Sequence, residues 1–537
     1  MNRLSLLVGL VCLAIALVPP ASGVPPASGV PATLWSGSAG ALSAQSPQTG
    51  DSPLWGGTPS RNMSSPMTGI NWDFDLNAGK NVVWSVPLGS QTYGGPTVIG
   101  GKILVGTNNG GNYVKKHEGD RGVVLCFNEA DGKFLWQLTR NKLEDASNLD
   151  FPEVGISSIA AAEGNRAWLV TNRCELMCLD LEGFYDQEND GPVIDEADHD
   201  QEDADVVWSI DMLKELNVQP HFLATSSPLV HGDLVLLCTS QGITAGEEAH
   251  SDPEAPSFLA VDKATGKVVW KSNLPGKGIL DGQWSSPALG LVNGKPQVVF
   301  PASDGWVYSL NPDNGELLWK CDLNPKETVW EEGGTGTRNA IVATPVFHEN
   351  SVIIGVGQNP DHGDGEGHLW RIDATKTGDV SAEVGEIGTA GSPNPNSGVI
   401  WHYGGSDKDG SVTGEQGESI FFRTISTVAI GDGLLFAADH RGTMHCLDFA
   451  TGKRLWIHDM MCLIWGSPLL VDGHVLIGTE DGKLLLFKAG RTEGKPVREY
   501  DVKDYAAVYA TPVIANDHLI LVDRANLTKI QLKAGDK

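Results

Sequence analysis

Three clusters in this 537-residue chain carry residue types capable of chemistry. Asp186, Glu188 and Asp190, followed by Gly191 and Val193, resemble the first half of a calcium loop. In such a loop alternating carboxylates wrap the ion and glycine makes the turn. Glu196 adds a carboxylate near the end of the stretch, although position twelve itself is Ala197, so a solvated acidic loop is the competing reading. His362, Asp364, Glu366 and His368 alternate with glycines. Two imidazoles and two carboxylates on a pliant loop could converge on a metal, but the spacing matches no standard ligand pattern and also reads as a surface hairpin. The third cluster is aromatic and polar: Tyr93, Trp284, Trp465 and Tyr509, with Gln283, Arg338, Asn339 and Arg423. Aromatic walls and a few cations suit a planar or anionic ligand, and rings that only pack between blades are the competing reading.

Other chemistry has little support. There is no GxSxG, HExxH, P-loop or CxxCH motif. Beyond Cys12 the cysteines are Cys126, Cys174, Cys178, Cys238, Cys321, Cys446 and Cys462, an odd number with no adjacent pair. Most recur at small-residue positions of a repeat and read as buried core thiols. Lys and Arg number 38 against 67 Asp and Glu, a net charge of −29. That balance excludes nucleic acid and anionic lipid as expected partners.

The elements that must position these groups come from a repeat. AVDKATGKVVW ends at Trp270, and CFNEADGKFLW, SLNPDNGELLW and CLDFATGKRLW end at Trp136, Trp319 and Trp456. Weaker copies surround Trp84, Trp208 and Trp401, and Tyr500 takes the place in another. Asp or Asn closes a hairpin, Gly supplies its left-handed residue, and the Trp buries a large ring on the neighbouring sheet. A second signature precedes each copy: two small residues, usually a Pro, then an apolar strand, eight times between GGPTV at Pro96 and ATPVI at Pro512. The spacing of the last copies approaches the roughly 40–45 residues of a four-stranded propeller blade. The final repeat lacks an outer strand, and Asn81–Leu88 shares the register of Lys267–Leu274. The sequence therefore predicts an all-β, eight-bladed β-propeller whose N-terminal strand closes the last blade. Three residues before each Pro slot stand Tyr93, Gly155, Thr225, Trp284, Val342, Thr424, Trp465 and Tyr509, which the repeat directs to one mouth of the channel. A short helix is expected near Met212–Leu216.

Arg3 and the apolar run Leu4–Val18 read as a secretory signal over 1–23, too short for a membrane span. Residues 24–50 read as a Pro/Ser/Gly-rich tether, and 51–537 as the propeller. A secreted or periplasmic location follows, and a monomer is the expectation.

The A-x-D-x-x-T-G-K-x-x-W unit resembles the tryptophan-docking motif of the pyrroloquinoline quinone (PQQ) repeat proteins, a superfamily of quinoprotein alcohol dehydrogenases and BamB-like assembly lipoproteins. GQWSSPA, TRNAIVATP, GQNPDHGDGEGHLWRID and FRTISTVAI resemble a secreted planctomycete-type subfamily. The resemblance implies PQQ, with Ca2+, as a cofactor if the dehydrogenase site is kept. The dehydrogenases clamp their quinone against two adjacent cysteines, and none are adjacent here. The expectation is a non-catalytic scaffold binding a protein or small molecule at the propeller face. A divergent PQQ-dependent dehydrogenase is the alternative, and outer-membrane protein assembly a third reading by fold analogy.

Overall fold

Asp262 shows how one repeat folds. Its Oδ1 accepts from the Thr265 amide at 2.8 Å and its carbonyl from the Gly266 amide at 2.9 Å. Gly266 takes φ +70°, where a side chain would be strained. The turn joins Phe258–Asp262 to Val268–Ser272, the third and fourth strands of a sheet that begins with Leu229–His231 and Leu234–Cys238. The computed structural model describes residues 50–144, 149–244, 251–331, 336–363 and 365–533. The expected leader and nearly all of the tether lie outside these residues, as does Asp364.

Eight such sheets form the blades of an all-β propeller. Their innermost strands start at Thr97, Ala161, Leu229, Ala288, Val346, Ala429, Leu469 and Val513, and define blades 1 to 8. Val82–Pro87 pairs antiparallel with Asn526–Gln531 as the outer strand of blade 8, so the N-terminal strand closes the ring. Closure leaves no unpaired edge at the seam. The one-turn helix Met212–Leu216 is present, with Asp211 accepting from the Lys214 amide as its cap.

Six of the outer-strand Trp lean onto a hairpin of the next blade. Trp270 Nε1 donates to the Pro312 carbonyl at 2.8 Å, and a Cβ added at Gly315 would come within 2.8 Å of its ring. Trp84, Trp136, Trp208, Trp401 and Trp456 repeat this contact on the hairpins of Gly132, Gly183, Gly266, Gly452 and Gly494. Glycine recurs in the motif because the ring occupies the place of its side chain. Trp319 departs from the pattern and donates to Gln297 Oε1 within its own blade. Tyr500, the substitute in blade 7, stacks on Phe74 at 4.0 Å.

The small residues of the second signature have an equally specific task. Ser158 Oγ donates to the Ser226 carbonyl, Ser285 Oγ to Ala343 and Ser426 Oγ to Gly466, at 2.8, 2.7 and 2.7 Å. These hydroxyls form a belt around the channel, linking blades 2 to 3, 4 to 5 and 6 to 7.

Beyond the belt, residues 50–72 form a strap that the repeat pattern does not reveal. Its backbone bonds Val98, Ala162, Leu289, Phe347, Val428, Leu470 and Asn516, inner positions of seven blades. Arg61 sits at its centre, fully buried, and donates to the carbonyls of Trp55, Ser227, Pro228 and Pro287 at 2.8–3.0 Å. Burial of that cation is tolerated because its donors meet backbone oxygens.

Candidate functional site

On the other side of the belt the loops leading into the inner strands enclose a cavity of about 340 Å3. Tyr93, Ser157, Thr225, Trp284, Val342, Ile425, Trp465 and Tyr509 line it, one from each blade. Each stands four residues before its inner strand. Two of these differ from the expected set. In blades 2 and 6 the slot before the strand holds Ala160 and Val428 instead of Pro, and the register shifts by two and by one. Ser157 and Ile425 therefore take the places expected for Gly155 and Thr424.

The four aromatic slot residues divide into a wall and an opposing ring. Tyr93 and Tyr509 stack with centroids 4.6 Å apart and 17° between planes. Trp465 meets Tyr509 edge-on at 5.5 Å and Tyr93 at 5.7 Å. Blades 7, 8 and 1 thus present one continuous aromatic face. Trp284, from blade 4, is fixed by donation from its Nε1 to the His221 carbonyl at 2.8 Å. Gly282 leaves room for it, since a Cβ there would lie 2.3 Å from the ring. Phe151 and Phe222 complete the apolar lining. Burial pushes the Tyr93 phenol up to about 12, and the Tyr509 phenol and the Glu480 carboxylate add to the rise, so it stays protonated.

The expected cations do not reach this space. Arg338 is buried and donates through Nη2 to the Asp304 carbonyl and to Asp322 Oδ1, both at 2.9 Å. Arg423 donates to Asn339 Oδ1 at 2.9 Å, and to the His362 and Gly336 carbonyls at 2.8 and 3.0 Å. Asn339 is spent on the Glu366 carbonyl. Gln283 is buried outside the lining. Among the described lining residues Asp361 is the one acidic side chain, and none is lysine or arginine. Beside the cavity lies a group no motif signalled: buried His221 with Nε2 3.4 Å from Asp281 Oδ1, and His362 Nδ1 4.0 Å from Asp281 Oδ2.

The two metal candidates are arranged differently from their sequence patterns. His362 Nδ1 pairs with Gln358 Oε1, whereas His368 Nδ1 pairs with His402 Nε2, each at 3.0 Å. Glu366 bonds Ser406. The two imidazoles thus serve different neighbours. In the acidic insert, Asp186 accepts from the Glu188 amide, Glu188 is exposed, and Glu196 accepts from Asn189 and from the Val206 amide. Asp190 instead meets Asp180 and Asp205, with carboxylate oxygens within 4.8 Å of one another. Burial raises Asp180 and Asp205 to about 6. A second group, His117, Asp198 and Asp203, already holds a cation: Lys116 Nζ lies 3.1 Å from Asp198 and 2.7 Å from Asp203. The seven described cysteines are free thiols.

Eight blades around an axial cavity form a β-propeller of the PQQ-repeat type. The chain belongs to the family described as outer membrane protein assembly factor BamB, whose model matches residues 197–387 and 363–537. Proteins so described from Moranella endobia (strain PCIT) and Yersinia pestis are each 21% identical to it, over 52% and 59% of this chain and 69% and 75% of their own. Among solved structures, a quinohemoprotein alcohol dehydrogenase from Pseudomonas putida HK5 is similar, with a TM-score of 0.54 and 14% identity over 91% of this chain and 81% of its own. BamB from Moraxella catarrhalis gives a TM-score of 0.49 at 14% identity, covering 85% of this chain and 98% of its own. At such identities the structural likeness is one of fold. No helix among the described residues is long and apolar enough to cross a membrane.

Proposed function

We propose that this protein is an exported, non-catalytic binding propeller whose axial cavity receives an aromatic or basic side chain of a partner polypeptide. One observation carries the reading: the cavity offers aromatic faces and one carboxylate, Asp361, with no lysine or arginine in its lining. Ring faces bury flat apolar groups and attract cations. A carboxylate entering the same space would lose water and meet neutral donors such as Ser157 Oγ and Trp465 Nε1, but no cation. A volume of about 340 Å3 holds one large side chain or a small ring system. Exposed Phe151, Met461, Leu463 and Tyr505 flank the cavity or lie on the loops leading into Trp465 and Tyr509, so the apolar surface continues past the cavity. That extent suits a polypeptide better than a metabolite. The chain's charge of −29 favours a basic partner. The relatives' description as assembly factors is consistent with polypeptide binding, and the apolar run Leu4–Val18 supports export.

PQQ fits this lining poorly. It carries carboxylates, and the cations that would meet them are held by Asp322, Asn339 and backbone carbonyls. The thiols offer no adjacent pair as a clamp. Tryptophan fluorescence titration separates the readings. The expected result is saturable quenching by the peptide acetyl-Lys-Phe-Lys-amide, at least tenfold weaker binding of acetyl-Glu-Phe-Glu-amide, and no saturable response to PQQ. Saturable PQQ binding accompanied by alcohol-dependent dye reduction would overturn the proposal in favour of a dehydrogenase.

A further inference from the structure

The insert joining the third and fourth strands of blade 2 gathers three carboxylates that the cavity does not use. Asp180 ends the strand Glu175–Asp180, Asp205 precedes Val206–Asp211, and the Asp180 amide donates to the Asp205 carbonyl at 3.0 Å. Pairing of those strands sets the two carboxylates side by side, 25 residues apart in the chain. Asp190 folds back from the insert, its amide donating to Asp205 Oδ2 at 2.9 Å. Arg166 is the cation in contact: Nη1 bonds Asp180, and Nη2 bonds Asp190 Oδ2 at 2.7 Å. It does not serve Asp205. Asp205 is 1% exposed, and its Oδ1 has no hydrogen-bond partner, lysine or arginine. A buried carboxylate oxygen without a partner is costly, and such an oxygen beside two other carboxylates calls for a cation. Three carboxylates against one guanidinium leave two negative charges, the charge of one divalent ion.

We propose that Asp180, Asp190 and Asp205 form a Ca2+ site that holds the acidic insert against blades 1 and 2. All the donors are hard oxygens, which suits Ca2+ rather than Zn2+ or Cu2+. Water completes the shell. The insert reaches blade 1 through the Gln137 amide, which donates to the Glu202 carbonyl at 2.9 Å, and through the Ala204 amide, which donates to the Gln137 carbonyl at 3.1 Å. An ion behind Asp205 would therefore stiffen that bridge. The site differs from the Asp186–Glu188 pattern of the sequence, because those two side chains are exposed and Asp186 accepts from the Glu188 amide.

The test is calorimetric titration of the chelator-treated full chain with Ca2+ at pH 7.5, paired with melting and limited proteolysis. One ion per chain is expected, with a melting rise of about 3 °C and slower cleavage within residues 183–202. Asp190→Asn and Asp205→Asn should abolish all three effects, whereas Asp186→Asn and Glu188→Gln should retain them. Asp190 is partly exposed, so its variant remains informative if Asp205→Asn fails to fold. No saturable binding by the wild type, or binding that survives Asp190→Asn, would overturn the site.

Discussion

Tyr93 and Tyr509 stack at 4.6 Å across the seam where blade 1 meets blade 8. The two residues are nearest neighbours only because Val82–Pro87 completes the last blade and shuts the ring. Removing residues 45–90 takes away that strand and the strap of residues 50–72 together. Loss of cooperative melting, or aggregation through the bared edge of Asn526–Gln531, is expected by calorimetry and light scattering. An unchanged melting midpoint would contradict closure.

Arg61 is the strap's anchor. Arg61→Met should cost about 3 kcal/mol or more, because carbonyls of Trp55, Ser227, Pro228 and Pro287 lose their donor. Chemical denaturation measures this directly, and a loss below about 1 kcal/mol would mean that water replaces the guanidinium without penalty.

The two classes of tryptophan should separate on mutation. Trp270 is buried against the Gly315 hairpin, and Trp270→Ala should cost roughly 3–5 kcal/mol. Trp284 and Trp465 are half-buried and face the cavity, so their alanine variants should melt within a few degrees of the wild type. Equal destabilisation by Trp270→Ala and Trp284→Ala would show that the mouth rings are packing elements.

Asp304 should leave a mark on the pH dependence. Burial raises its carboxyl to about 6, against the opposing pull of the Tyr308 hydroxyl, which donates to it at 2.6 Å. A carboxyl raised in the fold prefers its proton there, so its charged form lowers stability above pH 6. Stability from this group should grow as pH falls from above 6 towards about 4. Asp304→Asn should therefore melt no lower than the wild type at pH 7.5 and lose its relative advantage by pH 5. A variant markedly less stable at pH 7.5 would reverse the assigned sign.

The sequence made the blades legible because Asp–Gly hairpins and their Trp recur with little variation. It made six of the eight cavity residues legible through register alone. Ser157 and Ile425 escaped because Ala160 and Val428 replace the Pro that marks the register. Arg338 and Arg423 turn away from the mouth to Asp322 and Asn339, because chain position does not fix where a long side chain points. The strap was illegible because it binds mainly through backbone groups and one arginine. The nearness of Asp205 to Asp180 is not legible, because strand pairing and not spacing brings them together.

The most direct measurement locates the guest. A crystal of the full chain soaked with acetyl-Lys-(4-bromo-Phe)-Lys-amide should show an anomalous bromine peak in the axial cavity, between Trp284 and the face formed by Tyr93, Trp465 and Tyr509. The double variant Trp284→Ala, Trp465→Ala should show none. A bromine peak elsewhere on the molecule, or one in the cavity that persists in the double variant, would contradict recognition by these rings.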